Sequence, residues 1–347
     1  MTMLSLRRHS GGLGLSPRRS RPASGGPGGD TEAPSVPQNL VVTAVSSAQI
    51  DLTWAASTDN VAVTGYRIYR DNVLVDTSPT NAYADTGLAP NTEYTYEVSA
   101  RDAAGNESAR SDPDSATTHQ VIVTAGLIAE WRFDEGTGQA VVNQVNPGTF
   151  DGQLGSTTGE DSNDPDWITE GLSFVKANND VLTCGTAGIS GGAARSVVAV
   201  IAPGDAGSGN TEFALGWIGT GANFRRWTVR CASSTDDMRI EVAGAGFTTT
   251  ALTFDPDVWA FIAATQSGNN LNTVILYKDG ETAVPVTTNQ VLDTAGNFQF
   301  GAGHLAGNAA FKCAYGLVYD RALSAGEIAQ NRLALTQALA ARGITLP

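Results

Sequence analysis

Histidine and cysteine are nearly absent, with three of each in 347 residues. No CxxC pair occurs, and His9, His119 and His304 are far apart in sequence, so a zinc site of ordinary Cys/His spacing is excluded. Cys184, Cys231 and Cys313 are an odd set that cannot all pair within one chain, so no disulfide framework is readable. Long apolar runs are also missing. No stretch approaches the roughly 18 residues of a membrane-spanning helix, which speaks against membrane insertion. The opening MTMLSLRRHSGGLGL has no unbroken apolar core behind a basic start, so it does not read as a secretory signal. Basic residues are outnumbered, 21 against 35 acidic, for a net charge of −14; this opposes binding to nucleic-acid backbones or anionic bilayers.

What is present is glycine, 39 residues of it, and a hydrophobic content of 41% with only 16% charged, the composition of a turn-rich globular chain. The basic charge is uneven. Residues 1–36 hold five arginines in a Gly/Ser/Pro context too poor in apolar groups to fold alone. Such an arm is either a flexible leader or a peptide that orders on a partner. In the second case Leu4, Leu6, Leu13 and Leu15 would fill pockets, and Arg7, Arg8, Arg18, Arg19 and Arg21 would pair with carboxylates.

From Val36 onward, short strand-like runs (NLVVTAV, QIDLTW, GYRIYRD, VLVDTS, YTYEVSARD) recur at the 8–12-residue spacing of a β-sandwich. Pro37 and Leu40, then Trp54, then Tyr66 and Tyr69, then the run from Leu88 to Tyr94, resemble a fibronectin type III domain, which we place at 37–119. The resemblance implies that Trp54 is the core tryptophan of the second strand and Tyr94 the corner tyrosine. It also implies a spacer role, and no Arg-Gly-Asp triplet is present.

After a linker at 120–126, a second β-rich region opens with GLIAEWRFDEGTG, whose alternation points Ile128, Trp131 and Phe133 to a core and Glu130, Arg132 and Asp134 outward. GLSF, VWAFIAAT, VILYKDG and YDRALSAGEI follow in order, and the series is similar to the concanavalin A-like, laminin G-like jelly-roll over 127–332. The expected fold class is therefore all-β: two sandwiches, a flexible N-terminal arm, and a C-terminal helix. Ser324 and Glu327 form a capping box, Ile328, Leu335 and Leu339 share a stripe, and Gly343 stands where a C-terminal cap belongs. The extension at 333–347 either packs on the sandwich or mediates self-association into a homo-oligomer.

Catalysis is not expected. Glucanases of this sandwich carry paired carboxylates as E-x-D-x-x-E, and the nearest acidic strand, EWRFDE from Glu130 to Glu135, lacks that spacing. His304 in GAGHLAG has no G-x-S-x-G partner. Ligand binding is open to exposed aromatics. Trp54, Trp131 and Trp259 match core positions of the two families, which leaves Trp167, Trp217 and Trp227 as candidate sugar platforms. Asn178, Asn179 and Asp180 stand where pentraxin-like jelly-rolls carry a calcium loop, with a hydrogen-bonded Asx turn as the alternative; calcium is the one cofactor entertained.

Modules typical of extracellular surfaces, no readable export signal and an arginine-rich arm together suggest a bacteriophage virion protein, such as a tail-fibre or head-decoration component. Its arm would dock on capsid or tail, its jelly-roll would hold a host cell-surface glycan, and release would follow lysis. The alternative is a bacterial surface or secreted carbohydrate-binding accessory module of a polysaccharide-degrading system.

Overall fold

The structure, a computed structural model, describes residues 29–155, 159, 164–175, 180–185, 193–204, 214–218, 226–231, 237–242, 247–268, 272–282, 286–288, 297–301 and 310–347. The chain divides into two compact units. The larger consists of Thr117–Pro347 with the short segments Val45–Gln49 and Gly87–Thr92, and the smaller takes the rest of the N-terminal region.

The N-terminal module has seven strands: β1 Gln38–Ala44, β2 Gln49–Ala55, β3 Val63–Arg70, β4 Val73–Ser78, β5 Ala82–Thr86, β6 Glu93–Asp102 and β7 Asp114–Thr117. They form a three-stranded sheet, β1-β2-β5, and a four-stranded one, β4-β3-β6-β7. Alternation buries Ile50, Leu52 and Trp54 from β2 and Tyr66 and Ile68 from β3. The rings of Trp54 and Tyr66 meet edge to face at 5.1 Å, the packing the sequence assigns to Trp54. Asp71 and Asn72 both take positive φ in the two-residue β3–β4 turn, as a hairpin turn of matching twist demands. Tyr94 is half-buried, with the Arg70 guanidinium 5.4 Å from its ring centroid. Tyr96, two residues on, is fully buried and donates its hydroxyl to Asp85, which also receives Arg70 at 2.8 Å.

The second unit contains β8 Leu127–Trp131, β9 Ala140–Val141, β10 Gly152–Leu154, β11 Asp166–Ile168, β12 Gly171–Phe174, β13 Val181–Cys184, β14 Arg195–Pro203 and β15 Ala214–Ile218. It continues with β16 Arg226–Cys231, β17 Asp237–Val242, β18 Phe247–Thr253, β19 Ala260–Gln266, β20 Asn272–Lys278, β21 Glu281–Thr282, β22 Val286–Thr288, β23 Asn297–Gly301, β24 Phe311–Tyr319 and helix α1 Ala325–Ala340. One sheet runs β18-β17-β16-β15-β23-β13-β10-β9. The other runs β11-β12-β24-β14-β19-β20-β21, with β22 beside β20 and β8 beside β24. Every described pairing is antiparallel, giving the all-β sandwich with a C-terminal helix that the motifs imply.

The centre of the second sheet, β24, β14 and β19, is buried on both faces, which explains its unbroken apolar strands. In β14, Val197, Ala199 and Ile201 enter the core between the sheets, while Val198 and Val200 join Phe261, Leu317 and Tyr319 against Ile328, Leu335 and Leu339 of α1. All nine β14 residues are consequently buried. Glu130 departs from the expected outward orientation. Its side of β8 faces the helix layer rather than solvent, and it is only 7% exposed.

Helix α1 begins at the predicted capping box, with Glu327 N donating to Ser324 Oγ and Ser324 N donating to Glu327 Oε2. At its other end Gly343 has φ +75°, Gly343 N bonds Ala340 O, and Ile344 N bonds Leu339 O, a Schellman closure that buries Ile344 beside Leu339. The helix packs on the sandwich along the predicted stripe. Asn331, fully buried, accepts from Val123 N (2.7 Å) and donates to Tyr319 Oη (3.0 Å), whose proton goes to Val123 O (2.9 Å). This closed ring ties the segment before β8, the last strand and the helix together.

Candidate functional site

The helix covers one sheet, so among the described residues the other sheet's outer face is the one without a helix on it. Pairing fixes a row across it: Gln153 opposite Thr183, Thr183 opposite Gln299, and Gln299 opposite Gly216. The adjacent row, Leu154, Leu182, Phe300, Leu215 and Val229, is buried between the sheets. By alternation the first row lies on the outer face, where no buried apolar cluster occurs among the described residues. Gln153, Thr183 and Gln299 are half-buried, and Gln299 Nε2 donates to Thr183 Oγ1 at 3.1 Å. The result is a strip of two uncharged amides and a hydroxyl, groups that both donate and accept, set across three strands with Gly216 at its end. Such a strip suits a ligand rich in hydroxyl groups. Sequence reasoning missed it because Gln153, Thr183 and Gln299 are brought together only by strand pairing.

Of the three candidate tryptophans, the described side chains are those of Trp167 and Trp217. Trp217 is fully buried, edge-on to Phe298 at 4.9 Å with the Arg195 guanidinium 5.1 Å from its ring, so its assignment as an exposed sugar-stacking residue is corrected. Its strand parity follows the core row. Trp227 is its register partner on β16, and its side chain lies outside the described residues. Trp167 is half-buried on edge strand β11, packs against the core, and donates Nε1 to Gly138 O at 2.9 Å.

Of the expected calcium loop, Asn178 and Asn179 lie outside the described residues. Asp180 is 2% exposed, and one of its oxygens accepts Val175 N at 2.6 Å. Burial, with Asp164 and Asp166 nearby, pushes its pKa up to about 6. Among the described residues, three carboxylates approach within 4.8 Å of one another in the N-terminal module: Asp30, Asp59 and Asp102. Asp102 accepts Gly105 N, Asn106 N and Asn106 Nδ2 at 2.6–2.8 Å, which hold it below the usual carboxylate range despite its burial. The leucines and arginines of the N-terminal arm lie in residues 1–28, outside the described residues.

Nothing in the described residues resembles an activated nucleophile. Cys184 and Cys313 are fully buried free thiols whose pKa values burial pushes well up, which leaves them inert.

Comparison with known proteins agrees with the first half of this architecture. Residues 35–117 match the family model of the fibronectin type III domain. This segment is a fibronectin type III domain. It is similar to parts of an α-amylase from Niallia circulans, 49% identical over 89 residues covering 26% of this chain and 7% of that protein. Chitinase A1 from the same organism is 45% identical over 108 residues, covering 31% of this chain and 15% of that protein. Exoglucanase B from Cellulomonas fimi is 47% identical over 89 residues, covering 26% and 8%. The chain thus spans less than a sixth of the length of these three relatives. Among solved structures, domain 4 of AbnA, a GH43 extracellular arabinanase from Geobacillus stearothermophilus, aligns over 60% of this chain and 98% of that one at 14% identity and a TM-score of 0.43. Trypanosoma rangeli sialidase aligns over 84% of this chain and 49% of that one at 12% identity and a TM-score of 0.47. Neither structural likeness is close enough to bear on function. The expectation of a bacteriophage virion protein is overturned: the fibronectin domain's relatives are bacterial amylase, chitinase and exoglucanase chains, and none of these is a particle protein.

Proposed function

We propose that this chain is a non-catalytic, carbohydrate-binding accessory module of an extracellular bacterial polysaccharide-degrading system. In this reading the fibronectin domain is a spacer and the polar strip of the larger sandwich contacts the polymer. The observation that carries it is the 45–49% identity of the fibronectin segment to segments of an α-amylase, a chitinase and an exoglucanase, proteins named for acting on polysaccharides. The strip supports it independently. Gln153, Thr183 and Gln299 offer paired donors and acceptors on a broad sheet face, the chemistry that sugar hydroxyls satisfy. Arrayed weak contacts along a polymer give useful retention without a deep pocket, since linked sites raise avidity.

The test is co-sedimentation of the full chain with insoluble chitin, cellulose and starch, beside a control protein of similar charge. Saturable depletion by one polymer, relieved by its soluble oligosaccharide, is the expected result. No depletion by any polymer, or release of reducing sugar on prolonged incubation, contradicts the reading of a non-catalytic binder.

A further inference from the structure

The helix-covered side of the larger unit, away from the polar strip, is not fully closed. A cavity of about 490 Å³ opens between α1, the 120–124 segment and the outer face of the helix-covered sheet. Its walls are mostly aliphatic, with Leu335 from the helix, and Val121 and Val145 remain 39% and 42% exposed as part of its lining. Two half-exposed valines beside one cavity are apolar surface that the fold itself leaves uncovered. Gln120 and Thr124 line the 120–124 side, and the charged groups of the lining are confined to one spot. Glu130 Oε1 accepts both Arg132 Nε at 2.8 Å and the Tyr315 hydroxyl, and all three residues line the cavity. Burial and the adjoining carboxylate push the Tyr315 pKa far up, so its proton stays in place.

The charge arrangement limits the ligand. Glu130 and Arg132 neutralise each other, so a bound anion meets the carboxylate and a bound cation meets the guanidinium, each unfavourable in apolar surroundings. A neutral head avoids both penalties. The Arg132 side chain is 49% exposed, which leaves its outer edge to donate to such a head, and the second Glu130 oxygen can accept from it. The volume is that of a small-ligand pocket. We propose that this cavity binds an uncharged amphiphile, an aromatic or aliphatic body carrying a single hydroxyl, with the hydroxyl at the Glu130–Arg132 pair and the body against Val121, Val145 and Leu335.

Three probes with the same ring and different heads test this on the full chain by ligand-observed NMR titration: 2-naphthol, naphthalene-2-sulfonate and 2-naphthylmethylammonium. The expected result is saturable binding of 2-naphthol at least tenfold tighter than either charged analogue. Ala338, exposed on the helix and part of the cavity lining, supplies the blocking variant. Ala338→Trp should fill the opening and reduce naphthol affinity at least tenfold while leaving the thermal transition and far-UV spectrum unchanged. Should that variant unfold, Val145→Glu, which places an acid in the wall from a loop, must give the same loss. Absence of saturable naphthol binding, equal binding of a charged analogue, or full affinity in a folded blocking variant would each overturn the proposal. Polysaccharide co-sedimentation reads the other face and is expected to be unaffected by Ala338→Trp, so the two readings fail separately.

Discussion

Replacing Asn331 by leucine breaks the hydrogen-bonded ring that joins α1, β24 and the segment before β8. The side chain is fully buried, and its two polar ends serve Val123 N and the Tyr319 hydroxyl. Leucine is close in volume and a better helix former, so the loss is polar rather than steric. Val123 N–H is left in an apolar layer without an acceptor, a cost of roughly 1–3 kcal/mol. Tyr319 keeps its bond to Val123 O and loses only the incoming donor, a smaller penalty of about 0.5–1 kcal/mol. The sum is about 1.5–4 kcal/mol, or a fall of roughly 3–16 °C in the midpoint for a unit of this size. Five of the six tryptophans, all but Trp54, follow residue 117, so tryptophan emission in urea reports chiefly on this unit. A cycle with Tyr319→Phe should show a coupling of at least 0.5 kcal/mol between the two positions. A loss below 0.5 kcal/mol with no coupling would refute the claim that this ring holds the helix in place.

Further outcomes concern packing and pH. A Cβ on Gly316 would stand 2.7 Å from Phe300 Cζ and 3.2 Å from Trp131 Cε3, so Gly316→Ala should cost about 1–3 kcal/mol by chemical denaturation. Asp180, with its folded pKa raised to about 6, holds its proton more tightly when folded, so its contribution is complete below pH 4 and is lost as pH rises through 6. Asp180→Asn, measured in chelator at pH 7, should therefore stabilise the protein, and a loss of stability there would contradict the raised pKa of Asp180. Glu327 behaves oppositely: the Arg321 side chain, then Ser324 N, hold its pKa at about 2, so its contribution is present above the ordinary value of 4.5 and fades toward pH 2. Because the pair is well solvated, Glu327→Ala should cost only about 1 kcal/mol at pH 7, shrinking on acidification in thermal melts.

Much of the fold was legible because local chemistry fixed it. The capping box at Ser324 and Glu327 is a four-residue signal, Gly343 supplies the positive φ of the helix end, and Trp54 sits in an alternating strand; none depends on distant neighbours. Features that depend on what lies above a sheet were not legible. Alternation correctly put Glu130 on the face opposite Trp131, but only the packed helix layer makes that face an interior. The same limit applies to tryptophan. Trp217 lies on a strand whose parity cannot be assigned to core or solvent until β23 and β16 are known to flank it. The Tyr96–Asp85–Arg70 contact in the fibronectin domain and the Asn331 ring are likewise products of pairing between distant segments.

The central claim, that the uncovered sheet face holds a polysaccharide, is tested most directly by affinity electrophoresis in gels containing the polymer that depletes the protein from solution. Wild type is compared with Thr183→Val and Gln299→Ala, which alter the strip and leave the core row intact. Each deleted hydrogen-bonding group should weaken retention by roughly three- to tenfold, the equivalent of about 0.7–1.4 kcal/mol, with unchanged thermal stability. Retention equal to wild type in both variants would contradict the assignment of this face as the binding surface.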